Sequence, residues 1–276
     1  MRLLIVLAAD GHNEGVLRFG TRAASRLGAP DSSVLLAVAD RPIDRARAEA
    51  ELSRAGTRLT SAGISVQAVI RVGDVGRAVA AEVDGGSPCL AVLGDLAERR
   101  WRPYRDGASR LADAIEATPC HVAVVRGDSE VSSRILLCDS GVPGKALATR
   151  FARDFAGLAD HGDRITVLHV MSQMAAGPGA AASDLRADAA DLMVGHAPEG
   201  EILERGLGSL ENLDAVVTPK VRHGMVVDEI LAEAKDGDYG LVVIGAFGSG
   251  LWRRLLLDDL SRRIVERIDR PLLVVR

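Results

Sequence analysis

The chain has 276 residues, with 34 basic against 38 acidic side chains and a formal charge of −4. Apolar residues make up 47 % and aromatic ones only 3 %, so Val, Leu, Ile and Ala must fill the core. That balance excludes a disordered chain, and the mildly acidic charge argues against a nucleic-acid binder, which needs a basic face.

The opening run Met1-Arg2-Leu3-Leu4-Ile5-Val6-Leu7 soon meets Asp10. It is too short for a secretion signal or for a membrane span of about 18 apolar residues. A reduced, cytoplasmic protein without membrane insertion is expected. Cys89, Cys120 and Cys138 are too few and too scattered for disulfides or zinc, and sit in apolar runs as small hydrophobes. The six histidines lack metal-ligand spacing, so no metal site is expected.

Taken in order, an apolar block at 3–9 precedes Asp10. A helical stripe follows (Val16, Gly20, Ala23, Leu27), with Gly28 as its stop. Next come an apolar block at 34–38 and a second stripe of Ala48, Leu52, Ala55 and Leu59. Further blocks lie at 66–72, ahead of Gly73-Asp74, at 90–94 and at 121–125. After the polar stretch 127–133 the pattern returns. Block 134–138 precedes Asp139, and Leu147, Phe151, Phe155 and Leu158 form the helical stripe. Blocks at 165–170, 215–221 (ahead of His223-Gly224), 241–245 and 272–275 complete the second copy.

Each block is short and rich in branched aliphatics without alternation, the pattern of strands buried on both faces of a parallel sheet. Strands alternating with helices imply right-handed βαβ units. The predicted class is α/β: two tandem Rossmann-like domains, each a five-stranded parallel sheet flanked by helices. The first is placed at 1–126, a linker at 127–132 and the second at 133–276. The second copy is longer by about 22 residues, placed around 171–210. There the small-residue run 175–182 is expected to be mobile, Ser183 to cap a helix reaching Met193, and a further helix to cover 199–213.

In open α/β sheets ligands bind beyond the carboxyl ends of the strands. That places Asp10, Asp139, His12, His223 and the segments after Gly94 and Gly245 at the candidate site. Gly245, Gly248, Ser249 and Gly250 form a glycine-rich turn whose N–H groups can approach a phosphate, aided by a helix N-terminus.

Two copies, each with an Asp after strand one and a glycine turn after strand four, and the closing Pro-Leu-Leu-Val-Val-Arg resemble the universal stress protein family. The resemblance covers nearly the whole chain. It implies a five-stranded parallel sheet related to that of adenine-nucleotide α-hydrolases, and ATP binding through Gly-x2-Gly-x9-Gly-Ser/Thr, with the strand-one Asp near the adenine. Carried over, it points to Asp10, Val38, Gly94, Gly107 and Ser109 in the first copy. In the second it points to Asp139, Val170, Gly245 and Gly248. The signature is damaged in both. Asp258 and Asp259 stand where the second copy needs Gly and Ser/Thr, and two carboxylates there oppose a triphosphate. In the first copy Ala97 and Ala108 replace Gly and Ser/Thr, but Arg99, Arg100, Arg102, Arg105 and Arg110 bring compatible charge. ATP binding is therefore expected to be weak or absent, and confined to the first copy.

The resemblance implies a non-enzymatic stress-response regulator. It implies self-association as a pseudo-dimer within one chain, or as a homodimer, with a protein partner that is unknown. A cytosolic partner of a transporter is the alternative, because stress-protein-like modules also occur fused to carriers. An ATP-hydrolysing enzyme of the same fold is disfavoured: neither loop after strand one fits Ser-Gly-Gly-x-Asp-Ser.

Overall fold

The computed structural model describes residues 1–8, 13–29, 33–39, 41–83, 89–94, 107–126, 133–140, 146–171, 187–246 and 254–276. The side chains of residues 89, 107–110, 113 and 254–259 lie outside that description. So do three features expected from sequence: the 175–182 run, the Ser183 cap and the 127–132 linker. Two compact units are formed, Met1–Ser129 with Asp269–Leu273, and Glu130–Ile268 with Val274–Arg276.

In the first unit the strands are β1 (Arg2–Ala8), β2 (Ser33–Ala39), β3 (Val66–Val72), β4 (Cys89–Gly94) and β5 (His121–Val125). They lie in the order β3-β2-β1-β4-β5, with parallel ladders throughout. Four α-helices connect them: α1 (Glu14–Arg26), α2 (Arg45–Ser61), α3 (Val75–Glu82) and α4 (Gly107–Ala117). Val16, Gly20 and Ala23 of the predicted stripe are buried in α1, whereas Leu27 is half-buried as its C-cap. Gly28 ends the helix with φ +64°, a conformation that suits a residue without a Cβ. All four residues of the α2 stripe are buried.

The second copy of the sequence pattern repeats this plan with β6 (Arg134–Cys138), β7 (Asp163–Met171), β8 (Ala215–His223), β9 (Leu241–Gly245) and β10 (Leu272–Val275). Its order is β10-β9-β6-β7-β8, and β6 pairs parallel with both β7 and β9. Its helices are α5 (Leu147–Phe155), α6 (Ala189–Val194), α7 (Pro198–Leu210), α8 (Val226–Asp236) and α9 (Arg254–Arg267). Leu147, Phe151, Phe155 and Leu158 are all buried, Leu158 in a 3₁₀ turn that extends α5.

The outermost strands depart from the expectation of burial on both faces. β3 exposes Gln67, Ala68, Arg71 and Val72, while β8 exposes Val216, Thr218 and Lys220 in alternation and carries Pro219. An edge strand needs only one partner and tolerates a proline. β8 also runs two residues beyond its predicted end, so His223 closes a strand and does not lie in a loop.

The extra length of the second copy includes α6, which starts at Ala189 with Asp188 as its cap, the Asp188 carboxylate accepting the Asp191 N–H at 2.9 Å. After it, His196 is held at φ +51°. A left-handed residue with a Cβ costs roughly 1 kcal/mol. His196→Gly is therefore expected to raise stability by about 0.5 kcal/mol, read from the urea midpoint.

Candidate functional site

Parallel strands all end at one edge, and the helix following each strand begins there. In the first unit this edge is built by the ends of three adjacent strands: Ala8, Val38-Ala39 and Gly94. Val38 is fully buried, and its partners across the ladders are Ala8 and Arg71. Asn13 seals the end of β1. Its carboxamide accepts from the Ala8 N–H at 2.8 Å, donates to the Ala8 carbonyl at 2.9 Å and reaches Glu51 at 3.3 Å. Above Gly94 lies Val16 of α1, whose Cγ2 would be 3.1 Å from a Cβ added to that glycine. Gly107 opens α4, with Ser109 in its first turn. Asp10, His12 and the arginines at 99, 100, 102 and 105 fall outside the described residues.

The second unit closes the same edge differently. Asp139 follows β6 directly and is 8 % exposed. Its N–H continues the ladder to the Leu168 carbonyl at 2.9 Å, and its carboxylate Oδ2 accepts the Leu147 N–H at 3.2 Å, at the start of α5. The His169 Nδ1 lies 3.1 Å from the Asp139 carbonyl. A carbonyl only accepts, so Nδ1 carries the proton.

Arg150 stands one helical turn beyond Leu147. Its Nη1 donates to the Val275 carbonyl at 3.3 Å, and its Nη2 would be 3.2 Å from a Cβ on Gly245. Burial lowers the Arg150 pKa, while the Asp139 carboxylate pulls it back up. Val170, near the end of β7, is half-buried and pairs with Arg222. His223 closes β8, with its Nε2 donating to the Ala187 carbonyl at 2.9 Å. Gly248, Ser249 and Gly250 lie outside the described residues, as do the side chains of Asp258 and Asp259.

The ladders correct one sequence expectation. Ile5 pairs with Val92 and Leu137 with Val243, each two residues before the closing glycine of its strand. Ile5 thus corresponds to Leu137 and Leu7 to Asp139. Asp10 and Asp139 are not equivalent, because β1 runs beyond the point where β6 stops. Val38 and Val170 do correspond: one residue later, the Ala39 and Met171 carbonyls accept the N–H groups of Gly73 (2.9 Å) and Gly224 (3.1 Å). Those glycines have φ +126° and +150°, in the range that favours a residue without a Cβ.

A second polar cluster went unnoticed in the sequence. The fully buried Glu233 of α8 accepts from Lys220 (2.8 Å), Arg222 (2.8 Å) and Tyr239 (2.8 Å), and the Tyr239 oxygen, its one proton given to Glu233, accepts from the Thr166 hydroxyl at 3.0 Å. Burial alone would raise the Glu233 pKa, but hydrogen bonds from Lys220, Arg222 and Tyr239 outweigh it and leave it lowered. Burial pushes the Tyr239 hydroxyl up to about 12. The first unit has the same pair at the same spacing around its glycine, with Arg71 Nε 2.8 Å from Glu82. The recurring Arg-x-Gly followed by Glu nine residues later is its sequence signal. Each pair ties an edge strand to the helix after it.

Among the described residues no group of three or more His, Cys, Asp or Glu could hold a metal ion, and no helix is long and apolar enough to cross a membrane. Cys138 is buried, and burial pushes its thiol far above the range of a reactive thiolate.

The family model of universal stress proteins matches residues 132–276, more than half of the chain. The chain belongs to the universal stress protein family. No curated protein matches it. Among solved structures, a universal stress protein from Archaeoglobus fulgidus is 15 % identical with a TM-score of 0.69, covering 100 % of this chain and 96 % of its own. A putative universal stress protein from Pseudomonas aeruginosa is 16 % identical with a TM-score of 0.64, covering 99 % and 92 %. The cytoplasmic domain of a prokaryotic cation chloride cotransporter is 12 % identical with a TM-score of 0.56, covering 99 % and 94 %. These likenesses establish the Rossmann-like α/β fold along the whole chain.

Proposed function

We propose that this chain is a non-catalytic, cytoplasmic regulatory protein of the stress-response type, whose first unit alone keeps an adenine-nucleotide edge. The observation that carries the reading is the contrast at the glycines closing the fourth strand of each copy. Gly94 faces the apolar Val16, whereas Gly245 faces the guanidinium of Arg150, on which the charge of the buried Asp139 acts. An apolar wall next to a glycine suits a planar base. The second unit adds Asp258 and Asp259 in sequence where the family signature has Gly and Ser/Thr. In the first unit Asp10, Val38, Gly94, Gly107 and Ser109 are the residues proposed to contact nucleotide.

The test is calorimetry of the full chain with ATP. One weak site per chain and no turnover is the expected result. Two tight sites, or steady ATP hydrolysis, would overturn the reading. Replacing Asp258 and Asp259 by Gly and Ser is expected to improve binding in the second unit.

A second reading makes the protein the cytosolic regulatory partner of a transporter. Its support is the likeness in fold to a cotransporter's cytoplasmic domain over nearly the full chain. A neighbouring permease gene whose product retains this chain on affinity capture would favour it.

A further inference from the structure

We infer that the second unit carries its own anion: the Asp139 carboxylate engages the anion-attracting groups at the carboxyl ends of β6 and β9 and so keeps phosphate out. The inference rests on reading this edge as the nucleotide face. Two groups there would draw an anion. One is the N-terminus of α5, where the Leu147 N–H and the helix dipole favour negative charge. The other is Arg150, three residues on and therefore on the same side of the helix as Leu147.

Asp139 meets both demands. Its Oδ2 accepts the Leu147 N–H at 3.2 Å, and its charge acts on Arg150, whose guanidinium packs on Gly245 and donates to the Val275 carbonyl. With only 8 % of Asp139 exposed, water screens this carboxylate poorly, and its repulsion of an incoming phosphate is strong. The first unit uses neutral groups at the same edge. Asn13 closes β1 with a carboxamide, and Val16 faces the glycine. At this edge the second unit has a carboxylate and a guanidinium, whose charges compensate each other, and the first has a carboxamide and a valine.

The probe is inorganic pyrophosphate, followed by calorimetry and by the backbone amide signal of Leu147 in the full chain. In the unaltered protein that amide is expected to stay still up to millimolar pyrophosphate. In Asp139→Asn it should shift saturably, with pyrophosphate bound at least about tenfold more tightly. Adding Arg150→Met should abolish the gain. A Leu147 amide that titrates in the unaltered protein overturns the inference, and so does a folded Asp139→Asn chain that gains nothing. If Asp139→Asn fails to fold, Asp139→Ser keeps a neutral oxygen before α5 and is judged by the same signal. ATP uptake by the first unit is measured separately on unaltered protein. Its absence would sink the proposed function without affecting the Leu147 result.

Discussion

Glu233→Ala is expected to destabilise the protein by about 3 kcal/mol, measured by urea denaturation. Removing one member of a buried, hydrogen-bonded ion cluster costs roughly 3–5 kcal/mol when its partners stay buried. The low end applies because the Lys220 and Arg222 side chains, 47 % and 24 % exposed, can turn towards water. Tyr239 cannot, and would lose its acceptor while keeping the bond to Thr166. Glu233→Gln keeps the volume and one acceptor oxygen, so a smaller loss of about 2 kcal/mol is expected. The pH dependence has a definite sign. The folded carboxyl titrates below its ordinary value of 4.5, so the unfolded chain binds the proton first as pH falls. The stabilisation from Glu233 is therefore fully present above that value and fades as pH drops below it. The stability gap between unaltered protein and Glu233→Gln should be constant near neutrality and shrink under acid. A gap that widened towards acid would contradict the assignment of Glu233 as the charged centre of the cluster.

How much of this was legible depended on the range of the interaction. β3 spans Val66–Val72 as read from its apolar block, because a run of branched aliphatics between glycines needs no distant partner to be recognised. The stripes of α2 and α5 were equally plain, since a helix shows its buried face every three or four residues. The register of strand one was not. Asp10 and Asp139 look alike in sequence, yet where β1 and β6 end is decided by pairing with β2, β4, β7 and β9. The Asp188 cap of α6 was not singled out either, because several residues in that stretch have capping side chains. The roles of Asn13 and Arg150 depend on contacts with Ala8, Glu51, Gly245 and Val275 that no local pattern encodes. Of the candidate site, the sequence marked the edge and its glycines. It did not reveal that Asp139 is turned onto α5.

Two glycines of α7 should respond to alanine with opposite signs. A Cβ on Gly200 would lie 2.2 Å from the Leu192 carbonyl oxygen, 2.6 Å from its carbon and 2.8 Å from the Met193 nitrogen. All three are backbone atoms of α6, so no rotamer change can make room. That backbone is also fixed in place, because the Leu192 carbonyl accepts the Ala197 N–H at 3.0 Å and the Leu192 side chain is 3 % exposed. Gly200→Ala must therefore push α6 off α7 and expose Leu192, a loss of about 3 kcal/mol or more. Gly208, two turns further along the same helix, meets nothing within 4 Å. Alanine there only removes glycine's backbone freedom, and a gain of roughly 0.5–1 kcal/mol is expected. Urea denaturation gives both signs, and amide exchange locates the damage. In Gly200→Ala the amides of Leu192, Gly195 and Ala197 should exchange faster while those of β6 and β7 keep their protection. Equal effects of the two substitutions would mean that helix propensity, and not the close approach of α6, governs this helix.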